Sequence, residues 1–160
     1  MSTPKDLRLR RATAEDAEAL ASLINEAFRS ERFFSDEDRI NPDGVREYLK
    51  KGTFVLSEDA SGLAGCVYLE PRGRRFYLGL LSVAPPRQHA GLGSFLMKVA
   101  EEHCRAQGAQ GIDLQIVNVR KELPAYYHRF GYSETGTAPF PEHVKTKVPC
   151  HFVIMSKGLK

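Results

Sequence analysis

The sequence predicts a mixed α/β domain, a sheet with helices on its faces. Three observations predict it. Segments with alternating apolar residues follow segments with a 3.6-residue apolar period along the whole chain. One segment, FYLGLLSV (Phe76 to Val83), is almost continuously apolar, as a strand buried on both faces must be. Glycine or proline marks the junctions between many of these segments, at Gly52, Ser61-Gly62, Pro85-Pro86, Gly108 and Gly131.

Taken in order, LRLRRAT (Leu7 to Thr13) alternates as a strand. TAED then starts a helix, with Thr13 as N-cap and acidic residues in the first turn. Leu20, Leu23, Ile24, Ala27 and Phe28 share one face of it. SERFFSDEDRINPD is polar and irregular. NPDGVREYLKKG is a short helix that Asn41 caps, Pro42 opens and Gly52 ends, with Val45, Tyr48 and Leu49 as its apolar stripe. TFVLSED and LAGCVYLEP are strands around the turn at Ser61-Gly62. RGRR (Arg72 to Arg75) is a polar turn before the central strand Phe76–Val83, where Gly79 marks a bulge or a close backbone approach. The helix after Gly91 carries Leu92, Phe95, Leu96 and Val99 on one side and Lys98, Glu101, Glu102 and Arg105 on the other, and Gly108 stops it. GIDLQIVNV is a strand and ELPAYYHRFGY a short helix. SETGTAPFPEHVKTKVPC is loop-rich, and HFVIMSKGL is a final strand.

The chain's 160 residues fit one domain, 1–160, with room for a sizeable core. Composition is ordinary, 42% hydrophobic and 27% charged, and the net charge of +3 is mild. No basic stripe with interleaved aromatics appears, so no nucleic-acid partner is expected. No apolar run reaches membrane-spanning length and the first residues carry no signal-peptide core, so no membrane association is expected. The three cysteines, Cys66, Cys104 and Cys150, are far apart, with no CxxC pair. A disulfide framework is therefore not expected, and a reducing cytoplasm is the expected compartment. His143, Cys150 and His151 fit no zinc spacing, and no metal is expected.

The stretch PPRQHAGLGSFL (Pro85 to Leu96) joins the buried strand to a helix through nearly bare backbone. A helix N-terminus presents unpaired N–H groups and the positive end of a dipole. Glycines there let phosphate oxygens come close. The same glycines also serve a plain tight turn, and from these residues alone the two readings stand equal. GxxxxGK[ST] is absent, and GLGSFL lacks the third glycine of the dinucleotide fingerprint.

Read as a pattern, Gln88, Gly91 and Gly93 form QxxGxG after the strand LLSV and a proline. This resembles motif A of the GCN5-related N-acetyltransferase (GNAT) superfamily. Downstream, AYYHRFGY (Ala125 to Tyr132) resembles the helix and closing Y-x-x-x-G-[FY] of that superfamily, with Tyr127, Gly131 and Tyr132 in place. The order of strands and helices matches from about Leu7 to Leu159. The resemblance implies a mixed, mostly antiparallel sheet of six to seven strands, with helices on both faces and a splayed central strand pair. It implies acetyl-CoA as co-substrate, its pyrophosphate on the amides of Gln88, His89, Ala90, Gly91, Leu92, Gly93 and Ser94. It implies a pantetheine arm along Leu81, Ser82 and Val83, and Tyr127 as the acid that protonates the leaving thiolate. Tyr127 as a packing residue beside Tyr126 is the plain alternative.

Two departures stand out. Many relatives carry a carboxylate base on the central strand, and YLGLLSV has none, which leaves the base to a water chain ending at Glu70 or at a histidine. Relatives often place an asparagine seven residues before the tyrosine. Here that position is Arg120, and Asn118 lies two residues earlier, so contact with CoA is open between them. The expected function is direct acetyl transfer to a primary amine of a small-molecule or peptide acceptor, framed by Arg29 to Asp43 and Ser133 to Pro149. The rival expectation is a CoA or acyl-CoA binding module without efficient catalysis, supported by the missing carboxylate. Relatives are often dimers, which puts a homodimer among the expected states.

Overall fold

The computed structural model describes residues 7–159. Seven strands form one sheet: β1 (Arg8–Arg11), β2 (Thr53–Asp59), β3 (Gly62–Arg72), β4 (Arg75–Val83), β5 (Gly111–Val117), β6 (Ser133–Pro139) and β7 (His151–Gly158). Their spatial order is β1-β2-β3-β4-β5-β7-β6, and every neighbouring pair is antiparallel except β4 with β5. Four helices complete the fold: α1 (Ala17–Ala27), α2 (Pro42–Lys51), α3 (Leu92–Ala106) and α4 (Leu123–His128).

The helices cover both faces, and each face has its own apolar core. On one side α1 and α2 press Leu20, Ile24 and Val45 onto Phe54, Leu56 and Tyr68 of the sheet. On the other, α3 presses Met97, Ala100 and Cys104 onto Val67, Leu78 and Ile112. Fully burying one such aliphatic side chain stabilises the fold by about 1.5–3 kcal/mol. The buried face of α3 is turned from the expected one. Leu92 and Leu96 are inside, but Met97, Ala100 and Cys104 join them, while Phe95 and Val99 are only half-buried.

Local signals set the helix ends. Asn41 Oδ1 accepts from the Gly44 amide at 2.7 Å, with Pro42 in the first turn of α2. Thr13 and Asp16 form a capping box, but around a 3-10 turn (Ala14–Asp16) that precedes α1, so the α-helix proper starts at Ala17. The strand β6 lies inside the stretch expected to be loop-rich. It is an exposed edge strand of mostly small polar residues, without apolar alternation, and pairing to β7 defines it.

The sheet opens at its centre. The β4–β5 ladder joins only Arg75–Tyr77 to Gly111–Asp113. From Leu78 onward β4 has no β5 partner, while β5 stays paired to β7 as far as Val117. A bulge accompanies the opening. Cys66 and Tyr68 of β3 face Ser82 and Gly79, so three steps on β4 oppose two on β3, and Leu80 takes φ +50°. Bulges bend the strand that carries them, and this one sits where β4 leaves β5. The expected feature at Gly79 is present in both forms, since the ring of Tyr77 also packs against that bare Cα.

Candidate active site

The slot between the diverging strands is lined by Leu78–Leu81 of β4 and Leu114–Val117 of β5. Tyr127 of α4, and Phe28, Glu31 and Arg39 from the segment after α1, close it. The sheet supplies the opening because the strands part. The helices and loops supply the carboxylate and the guanidinium, while β4 adds only the phenol of Tyr77, which burial pushes up.

At one end of the slot β4 runs into the glycine loop. Pro85–Arg87 make a single 3-10 turn, Gln88 is extended, and His89 and Gly91 take φ +67° and +85°. The left-handed conformation at Gly91 turns the chain into α3, and no side chain caps the helix. The first helical bond here runs from the Phe95 amide to the Gly91 carbonyl at 3.0 Å. The amides of Leu92, Gly93 and Ser94 come before it, so helical geometry leaves them without a carbonyl inside α3. A Cβ on Gly93 would stand 2.8 Å from Tyr126 Oη, so the glycine keeps a close approach open. Gln88, His89 and Ala90 are exposed, and Gln88 Nε2 donates to the Val83 carbonyl at 3.1 Å. Ser82 is buried and donates its hydroxyl to the Leu80 carbonyl at 2.9 Å, which leaves only its backbone for the slot. Bare amides at a helix N-terminus fit a pyrophosphate group. Arg87 is drawn away into an ion pair with Asp59.

Tyr127 sits in the slot with its ring edge-on to Tyr126 at 5.1 Å. Burial pushes its phenol above the ordinary tyrosine range, and the neighbouring Tyr126 adds to the rise. The hydroxyl therefore stays protonated at neutral pH. Glu31 is the carboxylate that the sequence did not point to. It lies in a 3-10 turn (Phe28–Glu31) that continues α1, and its side chain is 14% exposed. Burial raises its pKa, against the opposing charges of Arg39 and Arg120. Arg120 Nη1 donates to Glu31 Oε2 at 2.8 Å and Arg120 Nε to Glu122 Oε2 at 3.0 Å. Arg120 is thus neither solvated nor idle: it clamps Glu31 in the slot from the loop after β5. Asn118 instead extends the β5–β7 pairing. Its amide donates to the His151 carbonyl at 2.9 Å and its side chain accepts from the His151 amide at 2.8 Å.

The other base candidates lie elsewhere. Glu70 accepts from Tyr68 Oη and Arg72 Nε, and it does not line the slot. His103 packs edge-on to Phe76, and His128 bonds Glu134 at 2.6 Å. Among the described residues no three His, Cys, Asp or Glu side chains cluster as a metal site. No helix among them is long and apolar enough to cross a membrane.

A second cleft continues the slot, sharing Phe28, Glu31, Arg39 and Phe152 with it. Its other walls are the two segments expected to frame the acceptor, at Phe34 and Ser35 on one and Phe140 and Val144 on the other. Phe34 is fully buried there, while Phe33 points out at 55% exposure.

Comparison with known proteins gives one consistent result. The model of the acetyltransferase (GNAT) family matches residues 17–132. The mycothiol acetyltransferase of Clavibacter michiganensis is 29% identical over 137 residues, 82% of this chain and 44% of that protein. The chain spans less than half the length of the curated relatives it matches. Among solved structures, a nourseothricin acetyltransferase superposes with a TM-score of 0.75 at 21% identity, over 98% of this chain and 100% of that one. The PaiA N-acetyltransferase of Thermoplasma acidophilum, solved with coenzyme A, gives 0.77 at 17% identity, over 96% and 99%.

Proposed function

The chain belongs to the acetyltransferase (GNAT) family, and on that premise we propose that it moves an acetyl group from acetyl-CoA directly to a primary amine. Bound acetyl-CoA supplies an acetyl group activated as a thioester, whose carbonyl carbon gains the bond to nitrogen as its bond to sulfur breaks. The amides of Gln88–Ser94 hold the pyrophosphate, and the free edge of Leu81–Val83 holds the pantetheine arm. The reading rests on one observation above the others: a single slot holds both a carboxylate with a raised pKa and a protonated tyrosine.

Glu31 takes the proton that the acceptor ammonium must lose before nitrogen can attack. A carboxylate whose pKa burial has raised is a stronger base than an exposed one. Arg120 occupies Oε2, which leaves Oε1 for the ammonium. A free edge amide of β4 faces the oxygen on which negative charge develops. Tyr127 donates to the leaving sulfur. A thiol has a pKa near ~8.5 and a buried phenol a higher one, so a hydrogen bond to the developing thiolate is the larger part of its service. The binding-module reading drew its support from the missing carboxylate on β4. Glu31 supplies a carboxylate from another element.

The test is thiol release from acetyl-CoA across a panel of primary amines. The wild type is expected to turn over with at least one amine, and Glu31→Gln to be slower by about a hundredfold or more. The wild-type rate should rise with pH through a pKa above that of an ordinary glutamate, since Glu31 must be deprotonated to act. Equal rates for wild type and Glu31→Gln, with the same pH profile, would remove Glu31 as the base.

A further inference from the structure

The acceptor cleft carries more information than its place beside the slot. Most of its charges are already matched. Glu31 is paired to Arg120, Asp38 to Arg32, and Glu37 Oε2 accepts from the Lys145 amide. Arg39 is different. It lines both the slot and the acceptor cleft, and among the described residues no carboxylate lies within salt-bridge distance of it. Its guanidinium rests over the Phe28 ring, 5.2 Å from the centroid. It is near enough to Glu31 for its charge to oppose the rise in that carboxylate's pKa. The site therefore presents a base for an ammonium and, close by, a surplus guanidinium.

Size and polarity are also set. The segments on either side of the cleft are tied to each other. The Lys147 amide donates to the Phe34 carbonyl at 2.7 Å, Ser35 Oγ to the Lys145 carbonyl at 3.0 Å, and Lys147 Nζ to the Arg32 carbonyl at 3.0 Å. An extended peptide lying between these segments would have to break the ties. The walls of the cleft are aromatic, with Phe34 edge-on to Phe140 and Phe140 against Phe152.

We infer that the acceptor is a free α-amino acid with an apolar or aromatic side chain, its ammonium on Glu31 and its carboxylate on Arg39. This rests on the acetyltransferase reading of the same slot. A guanidinium matches a carboxylate with two parallel hydrogen bonds, so the amine and the anion are recognised together. A decarboxylated amine leaves Arg39 unmatched. A peptide with a free N-terminus keeps the amine but has no carboxylate beside it, and its chain meets the ties between the two segments.

The experiment is calorimetric titration of the full chain, with and without saturating CoA. Phenylalanine, leucine and methionine are each compared with their decarboxylated amines and with tripeptides beginning with the same residue. The amino acids are expected to bind about tenfold or more tightly than their amines, as the loss of a charge-assisted contact implies. Arg39→Gln is expected to erase that preference while still binding the decarboxylated amines as the wild type does. Three results would each overturn the inference: equal or tighter binding of the amines or tripeptides, a preference that survives in Arg39→Gln, or no binding by any amino acid. Failure of CoA to bind, with the amino-acid preference intact, would count against the transferase reading and leave the acceptor site standing.

Discussion

Tyr126 and Tyr127 are neighbours in sequence with different surroundings, and that separates what each hydroxyl does. Tyr127 faces the slot, whereas the Tyr126 hydroxyl stands against Gly93 at the glycine loop. Tyr127→Phe is expected to keep the KM for acetyl-CoA and lower kcat by about ten- to a hundredfold, with the small end favoured by the good leaving group. Tyr126→Phe is expected to act on acetyl-CoA affinity instead. Steady-state kinetics on an active amine tests both, and unchanged turnover in Tyr127→Phe would contradict the proposed role as the acid. Tyr132 is a third case. Its ring is buried at 2% exposure, and among the described residues its hydroxyl finds no partner. Tyr132→Phe removes an unsatisfied polar atom and should leave stability unchanged or raise it by about 1 kcal/mol in chemical denaturation. A clear loss would mean that the hydroxyl has a partner. Tyr127 was legible because it sits at fixed spacing from Gly131 and Tyr132. Glu31 was not, because its character comes from burial and from Arg120, 89 residues away along the chain. Arg39 looked like one charge in a polar run, and only the pairing of its neighbours sets it apart.

At the scale of elements, local chemistry was readable wherever it acts within a few residues. The Asn41 cap, the turn at Gly62 and the glycine entry to α3 all stand where the sequence put them. The strand β6 was hidden because its residues carry no apolar alternation, and its existence depends on β7. The face of α3 was read one step off because Met97 and Cys104 lie on the turn that meets the sheet. The junction of β1 with α1 offers a test of how firmly such local chemistry holds. Arg10 pairs with Asp16 at 2.8 Å and with Glu58 of β2 at 2.7 Å, while Asp16 also accepts from the Thr13 amide. Arg10 holds the Asp16 carboxyl down at about 2, below the ordinary 3.8. A depressed carboxylate stabilises the fold above its unfolded pKa, and that contribution fades as pH falls towards the folded value. Asp16→Ala is therefore expected to cost about 1 kcal/mol at neutral pH. The deficit should shrink between pH 4 and pH 3 in denaturant titrations. A deficit that stays constant over that range would show that the carboxylate's charge plays no part.

The whole molecule is organised around one interruption of its sheet. Fold class and the succession of strands and helices along the chain were legible because the periodicities are strong and the central strand is uniformly apolar. The bulge was expected at Gly79 and the splay from the family resemblance, but the three-residue limit of the β4–β5 ladder was not legible, since it is a property of pairing rather than of any one segment. The splay matters because β4 leads from the slot to the uncapped end of α3, joining the proposed place for an acyl group to the proposed place for phosphates. Gly93 is the position at which to probe that junction. Gly91 has a positive φ, so any side chain there strains the backbone. Gly93 would meet only the tip of a flexible tyrosine, and a glutamate in the first turn of a helix suits the dipole. The most direct measurement is thermal unfolding of wild type and Gly93→Glu with CoA, with adenosine and without ligand. CoA at about a hundred times its Kd should add about 2.7 kcal/mol and raise the wild-type Tm by roughly 5–10 °C. Adenosine should do far less, and Gly93→Glu should melt like the free wild type while failing to respond to CoA. No shift of the wild type at saturating CoA, or an equal shift in Gly93→Glu, would contradict the account.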